Sequence, residues 1–200
     1  MALRKIVTEG DPALSRVCRP VEIIDNKILK VDSFFNYQID TVTLREVAKY
    51  IASHFKGVDK VLTVEASGIA FAVAVAFELG NVPIVFAKKS KTALTTDDLN
   101  YSAEVPSYTH NTINHIYVRQ SFLKEGEKIL IVDDFMAVGA ASVGLVKICE
   151  QARAKVVGVG IGIEKDFQGG RKRIEALNIP VVSAARIIAF KDNKPIFKGE

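Results

Sequence analysis

Short apolar runs and helix-spaced apolar positions alternate along most of the chain. Leu44, Val47, Ala48, Ile51 and Phe55 recur at helical spacing, and Thr43-Leu44-Arg45-Glu46 has the spacing of a capping box at the start of that helix. Residues 60–64 form a β-branched apolar run, predicted as a buried strand. Glu65-Ala66-Ser67-Gly68 reads as a turn, residues 69–79 as a small-residue apolar helix stopped by Gly80, and residues 83–86 as another short strand. Periodicity then fails across residues 88–111, a polar stretch holding Lys88, Lys89, Lys91, Asp97 and Asp98. So long a stretch without elements is usually functional or mobile. Residues 113–118 return as a strand.

The clearest strand is 128–132, followed by a loop over 133–141 and a helix to about residue 152. A strand over 155–163, a short helix over 171–177, a strand over 180–183 and a hairpin over 187–197 turning at Asp192-Asn193 complete the pattern. Buried strands alternating with helices predict an α/β fold: a central, mostly parallel sheet with helices on both faces. Residues 1–27, with turn formers at Gly10-Asp11-Pro12 and Arg19-Pro20, read as an N-terminal appendage to a domain over 28–200.

Composition narrows the class. Two hundred residues suit one domain, and 48% hydrophobic with 25% charged residues is ordinary globular usage. No apolar run approaches the ~20 residues of a membrane span, and the N-terminus lacks a secretory apolar segment. No membrane partner is therefore expected. Cys18 and Cys149 form neither a disulfide framework nor a zinc motif, so reduced thiols and a cytoplasmic location are expected. His54, His110 and His115 show no metal spacing, and no metal site built by the protein alone is expected. A net charge of +4 is too mild to argue for nucleic acid but suits an anionic small ligand.

The segment from Ile129 to Ser142, ILIVDDFMAVGAAS, carries the most chemistry. An apolar strand runs into two adjacent carboxylates, and a loop of small residues then opens a helix. In open α/β sheets, ligands bind at the carboxyl ends of strands. A helix N-terminus behind small residues offers backbone N–H groups and a positive dipole end, which suits a phosphate. Two carboxylates can accept hydrogen bonds from neighbouring sugar hydroxyls. Side by side, these describe a ribose 5-phosphate site. An ordinary strand-to-helix connection with an acidic cap accounts for the same spacing equally well.

This segment resembles the phosphoribosyl diphosphate signature of the type I phosphoribosyltransferases. More narrowly, the chain resembles their bacterial xanthine-specific branch. The resemblance runs through Ile28-Leu29-Lys30-Val31-Asp32-Ser33-Phe34-Phe35-Asn36-Tyr37-Gln38-Ile39-Asp40, Glu65-Ala66-Ser67-Gly68-Ile69-Ala70, Asp133-Asp134-Phe135-Met136-Ala137 and Ile163-Glu164-Lys165-Asp166-Phe167-Gln168, in the family's order. It implies the type I fold with a small N-terminal hood near residues 28–40. It also implies transfer of a phosphoribosyl group from phosphoribosyl diphosphate to xanthine, giving xanthosine 5′-monophosphate and diphosphate in purine salvage.

The implied phosphoribosyl diphosphate site comprises Ala137, Val138, Gly139, Ala140 and Ala141 around the 5-phosphate, and Asp133 and Asp134 on the ribose. Glu65, Ala66, Ser67 and Gly68 face the diphosphate, with Lys88 in the polar stretch that closes over it. Lys165 is implied as the cation on an exocyclic oxygen of xanthine, with Leu29 and Asn36 in the hood over the base. Mg²⁺ bound with phosphoribosyl diphosphate and a homodimer are implied as well. An enzyme for hypoxanthine, guanine or adenine is the nearest alternative. A phosphoribosyl diphosphate-sensing regulator without catalysis is another, though the mild charge argues against a DNA-binding face.

Two departures stand out. Val138 occupies a loop position where the superfamily often carries Thr, so phosphate binding rests on backbone N–H groups and on Ser142. Ala137 stands where hypoxanthine-guanine enzymes place an acid, and no general base is identified. Residues 1–21 resemble the opening of peptide deformylases, without the His-Glu-x-x-His zinc helix of those enzymes.

Overall fold

The computed structural model of the protein describes residues 22–25, 28–31, 35, 37–90, 99–107 and 112–198. In chain order the elements are β1 (Glu22–Ile24), β2 (Ile28–Lys30), α1 (Thr41–Ser53), β3 (Lys60–Val64), α2 (Gly68–Glu78), β4 (Ile84–Ala87), β5 (Asn100–Ser107) and β6 (Thr112–Arg119). Then come β7 (Lys128–Met136), α3 (Ala140–Gln151), β8 (Lys155–Lys165), α4 (Gly170–Glu175), β9 (Val181–Lys191) and β10 (Lys194–Phe197).

Six strands form one sheet in the order β4-β3-β7-β8-β9-β10, parallel except for the antiparallel edge strand β10. The expected α/β architecture is therefore present. Residues 129–132 of β7 are wholly inaccessible, as a central strand covered on both faces must be. Ile51, Phe55, Phe71 and Val75 from α1 and α2 cover one face, against Leu130 and Val132. Leu145, Ile148 and Cys149 from α3 cover the other, against Ile129 and Ile131, with Ala103 and Ile116 from the β5–β6 hairpin joining them. Gly158 and Gly160 of β8 let α1 approach: a methyl group at either would strike the Phe55 ring or the Ile51 side chain.

Chain order and spatial order diverge at β3. The chain moves outward from β3 to β4, then crosses back so that β7 lies on the other side of β3. The carboxyl ends of β3 and β7 therefore flank a topological switch point, where open α/β sheets bind ligands. A smaller hydrophobic cluster caps the β8–β9 end. Phe35, Ile163 and Ile187 are its buried centre, with Leu29, Phe135 and Phe190 packed against them.

The structure corrects several expectations. The first helix is capped by Asp40, whose carboxylate accepts from the Thr43 N–H at 2.8 Å; Thr43 lies inside the first turn. The polar stretch 88–111 is not wholly irregular, since residues 100–107 pair antiparallel along their length with 112–119. Tyr101, Ala103 and Val105 alternate toward the core there, a period-2 signal masked by Glu104 and Pro106. Strand β7 runs four residues further than expected, because pairing to β8 continues through Met136↔Glu164. Strand β1 pairs with β2 through Ile23↔Leu29. Asn36, residues 1–21 and 91–98 lie outside the described residues.

The cap assignment is testable. Asp40→Ala should lower unfolding free energy by about 1 kcal/mol, the usual cost of losing an N-cap acceptor. Thr43→Ala should stay within about 0.5 kcal/mol of the parent. Urea melts of the two variants check it, and the reverse ranking would restore Thr43 as the cap.

Candidate active site

Two strand ends and two loops build the site. Strand β3 ends at Val64 and turns through residues 65–67 into α2; the Glu65–Ala66 peptide is cis. Strand β7 carries Asp133 and Asp134 in its last turn of pairing, then leaves the sheet through Ala137, Val138 and Gly139 into α3. A cavity of about 780 Å³ opens between them. Its walls include Asp133 and Asp134, every residue from Ala137 to Ser142, Glu65 and Ser67.

The loop from Ala137 to Gly139 is shaped by glycine. Gly139 is the N-cap of α3 with φ 74°, a left-handed conformation that favours glycine. No side chain caps this helix. The first N–H groups of a helix lack partners within it, so those of Ala140, Ala141 and Ser142 are left for a ligand at the cavity wall. Gly170 supports the loop from behind: its N–H donates to the Ala137 carbonyl at 3.2 Å, and a Cβ there would lie 2.5 Å from that oxygen.

The carboxylates are close and dry. Asp133 and Asp134 are 7% and 8% exposed, which matters because two adjacent ionised acids cannot be solvated there. Burial, and then the Asp134 charge beside it, pushes the Asp133 carboxyl well above the usual carboxylate range, with Lys89 pulling the other way. Oδ1 of Asp133 accepts from the Asp134 N–H at 3.1 Å. Gly68 makes room for this acid: a Cβ there would fall 2.6 Å from Asp133 Oδ1 and 2.6 Å from Thr63 Oγ1. The Thr63 hydroxyl is buried with no hydrogen-bond partner among the described residues.

The structure brings together Glu65, Ser67, Asp133, Asp134 and residues 137–141, and seats Gly68 behind Asp133. Ala66 is exposed in the same turn, outside the cavity wall. Lys88 is not at the cavity; its backbone pairs with Tyr117 through two hydrogen bonds of 2.9 Å, which turns its side chain to solvent. The neighbouring Lys89 lines the cavity instead, and its N–H donates to Glu65 Oε1 at 2.6 Å.

Lys165 ends β8 and is 8% exposed, with its ammonium 5.4 Å from the ring centres of both Phe135 and Phe190. Phe135 lines the cavity, so Lys165 borders it through that ring. Burial pulls the Lys165 ammonium below the usual lysine range. Leu29 packs in the same apolar cluster as Phe135. Sequence reasoning missed Asn114, Gln168 and the Gly170 support, and named Lys89 only as one of the lysines of the polar stretch. Only the Gly169-Gly170 pair carried a local signal, a turn before a helix.

The phosphoribosyl transferase domain family matches residues 36–191, and the chain belongs to that family. Among its relatives, the xanthine phosphoribosyltransferase of Laribacter hongkongensis is 45% identical over 196 residues, covering 97% of each chain. That of Lactobacillus acidophilus is 46% identical over 187 residues, covering 92% of this chain and 96% of its own. Among solved structures, adenine phosphoribosyltransferase from Trypanosoma brucei, in complex with AMP, pyrophosphate and ribose-5-phosphate, superposes with a TM-score of 0.72 at 16% identity, covering 93% of this chain and 84% of its own. The enzyme from Thermoanaerobacter pseudethanolicus gives 0.70 at 21% identity, covering 86% and 99%. These two establish a shared fold.

The raised Asp133 pKa makes a stability prediction. Between the ordinary carboxylate value and the raised folded value, the folded protein keeps a proton that the unfolded chain releases. Stability therefore falls as pH rises through that window. Asp133→Asn, neutral throughout, should gain on the order of 1 kcal/mol at neutral pH. The gain should vanish below about pH 4, where the acid is protonated in both states. Thermal melts across pH check this; a variant less stable than the parent at neutral pH would contradict it.

Proposed function

We propose that the protein transfers the 5-phosphoribosyl group from phosphoribosyl diphosphate to N9 of xanthine, giving xanthosine 5′-monophosphate and diphosphate, a purine salvage reaction. The observation that carries the reading is the meeting of an uncapped helix N-terminus and two buried acids at one cleft, with a buried cation behind the Phe135 ring at its border. Family membership and the named relatives support it.

In this reading the N–H groups of residues 137–141 and the Ser142 hydroxyl hold the 5-phosphate, while Asp133 and Asp134 accept hydrogen bonds from the ribose hydroxyls. Residues 65–68 face the diphosphate, and Lys89, of the lysines in the polar stretch, supplies the cation there. Lys165 donates to an exocyclic oxygen of xanthine. Its charge also favours the base anion, because a cation beside an acid lowers that acid's pKa. Leu29 forms part of the apolar wall over the base, a role Asn36 would share. The cleft keeps water from a sugar that becomes cation-like as diphosphate leaves.

Mg²⁺ carried in with phosphoribosyl diphosphate belongs to the same proposal. Two buried carboxylates side by side, with Asp133 driven toward protonation by burial and by the Asp134 charge, suit an added hard cation. Among the described residues no cluster of three or more His, Cys, Asp or Glu could hold a metal ion, so Asp133 and Asp134 would face it together with substrate oxygens. When bound, it neutralises charge on the leaving diphosphate. A cytoplasmic homodimer completes the reading, on the family resemblance. No helix among the described residues is long and apolar enough to cross a membrane.

Turnover of xanthine, hypoxanthine, guanine and adenine, each with phosphoribosyl diphosphate and Mg²⁺, tests the reading directly. Xanthine should give the highest kcat/KM; preference for another base overturns the assignment of substrate. Lys165→Ala should lower kcat/KM for xanthine by roughly 10- to 150-fold, the cost of a lost hydrogen bond to a charged group. The KM for phosphoribosyl diphosphate should hardly change. With its pKa lowered, Lys165 loses its proton earlier than an ordinary lysine as pH rises. The alkaline limb of the xanthine profile should therefore move to higher pH in Lys165→Arg, which keeps its charge. An unmoved limb would exclude Lys165 as the titrating group.

A further inference from the structure

Behind the phosphate loop lies a buried ion pair that the chemistry above does not use. Glu164, next to Lys165 at the end of β8, is wholly inaccessible. Arg171, second residue of α4, meets it face to face: Nε donates to Oε1 at 2.9 Å and Nη2 to Oε2 at 2.6 Å. Ser183 of β9 donates its hydroxyl to Glu164 Oε2 at 2.5 Å and accepts from Arg171 Nη2 at 3.1 Å. Arg171 Nη1 reaches the Val181 carbonyl at 2.8 Å and Glu175 Oε1 at 3.2 Å. All five donors of the guanidinium find acceptors.

A buried ion pair of this kind is a poor source of net stability, because desolvation offsets much of its attraction. Its position suggests a different role. Helix α4 is one short stretch, Gly170–Glu175, too short to be stable alone. Arg171 ties it to β8 and β9 at once. The residue before Arg171 is Gly170, whose backbone touches the phosphate loop without an intervening side chain. A Cβ on Gly170 would lie 2.9 Å from the Gly139 nitrogen, and one on Gly139 would lie 3.0 Å from the Gly170 Cα. A shift of α4 therefore passes straight into the loop. The loop has no cap side chain of its own to hold its N–H groups in place.

We propose that Glu164, Arg171 and Ser183 are positioning residues that set the geometry of the phosphate loop through Gly170. This rests on the reading of residues 137–141 as the 5-phosphate site. Arg171→Lys keeps the charge but loses the planar fork, so it cannot fill all five directions. Ser183→Ala removes one hydroxyl from the network.

Equilibrium binding of two probes separates the outcomes: ribose 5-phosphate, which needs the loop, and inorganic diphosphate with Mg²⁺, which in this reading uses residues 65–68. Both variants should bind ribose 5-phosphate about ten- to a hundredfold more weakly, since small misplacements of positioning groups cost that much. Diphosphate affinity should be unchanged. If Arg171→Lys yields no folded protein, Ser183→Ala carries the test. Unchanged ribose 5-phosphate affinity in folded variants would overturn the proposal, as would equal weakening of both probes, which marks general damage. Parent protein that binds no ribose 5-phosphate would overturn the reading of the site itself.

Discussion

The structure depends on holding two carboxylates side by side, away from water, at the end of a central strand. Strand β7 is anchored by pairing with β3 as far as Ile131 and is held at the acids by pairing with β8, whose register is kept through Met136. Pairing of Asp133 with Ile161 and of Phe135 with Ile163 fixes the acids where solvation alone would expel them. The apolar faces built by α1, α2 and α3 supply the burial that anchors the strand. The strain of the arrangement appears in the Asp133 carboxyl, held toward its protonated form by its surroundings.

Much of this was legible in the residues because each element obeys its local rule. The apolar run before Asp133 could only be a buried strand, and the small residues after Met136 left no side chain to block a helix N-terminus. The hairpin turn at Asp192-Asn193 has both residues at positive φ, as a tight two-residue turn requires. What could not be read depended on contacts between distant segments. Lys88 and Lys89 are indistinguishable in sequence; pairing of Lys88 with Tyr117, 29 positions away, decides which side chain reaches the cavity. The strand over residues 100–107 was hidden for a similar reason. Its partner and the surface of α3 that it covers supply the order that its own charges obscure.

Glycine does at the site what charged residues do in other pockets: it decides which groups may meet. Gly68 admits the Asp133 carboxylate beside α2, and Gly144 of α3 brings the β5–β6 hairpin close, a Cβ there lying 2.8 Å from Val105. Gly162 leaves space beside the Asp134 carbonyl, where a Cβ would come within 2.7 Å. At each position the needed property is the absence of a side chain, which a single sequence reports only as a glycine among many.

Val138 puts this economy in physical terms. A threonine hydroxyl at that position would give the phosphate a donor able to rotate and adapt. Valine gives none, so in the proposed 5-phosphate site the affinity has to come from N–H groups whose direction is set by the backbone and from the Ser142 hydroxyl. Backbone donors cannot re-aim when the loop shifts, and hydrogen bonds weaken steeply as their angles close. A loop that binds through its backbone and a single hydroxyl therefore needs a rigid support more than one that binds through several side chains. The glycine-to-glycine contact at residues 139 and 170, closed from behind by a fully satisfied guanidinium, is the kind of support that requirement selects.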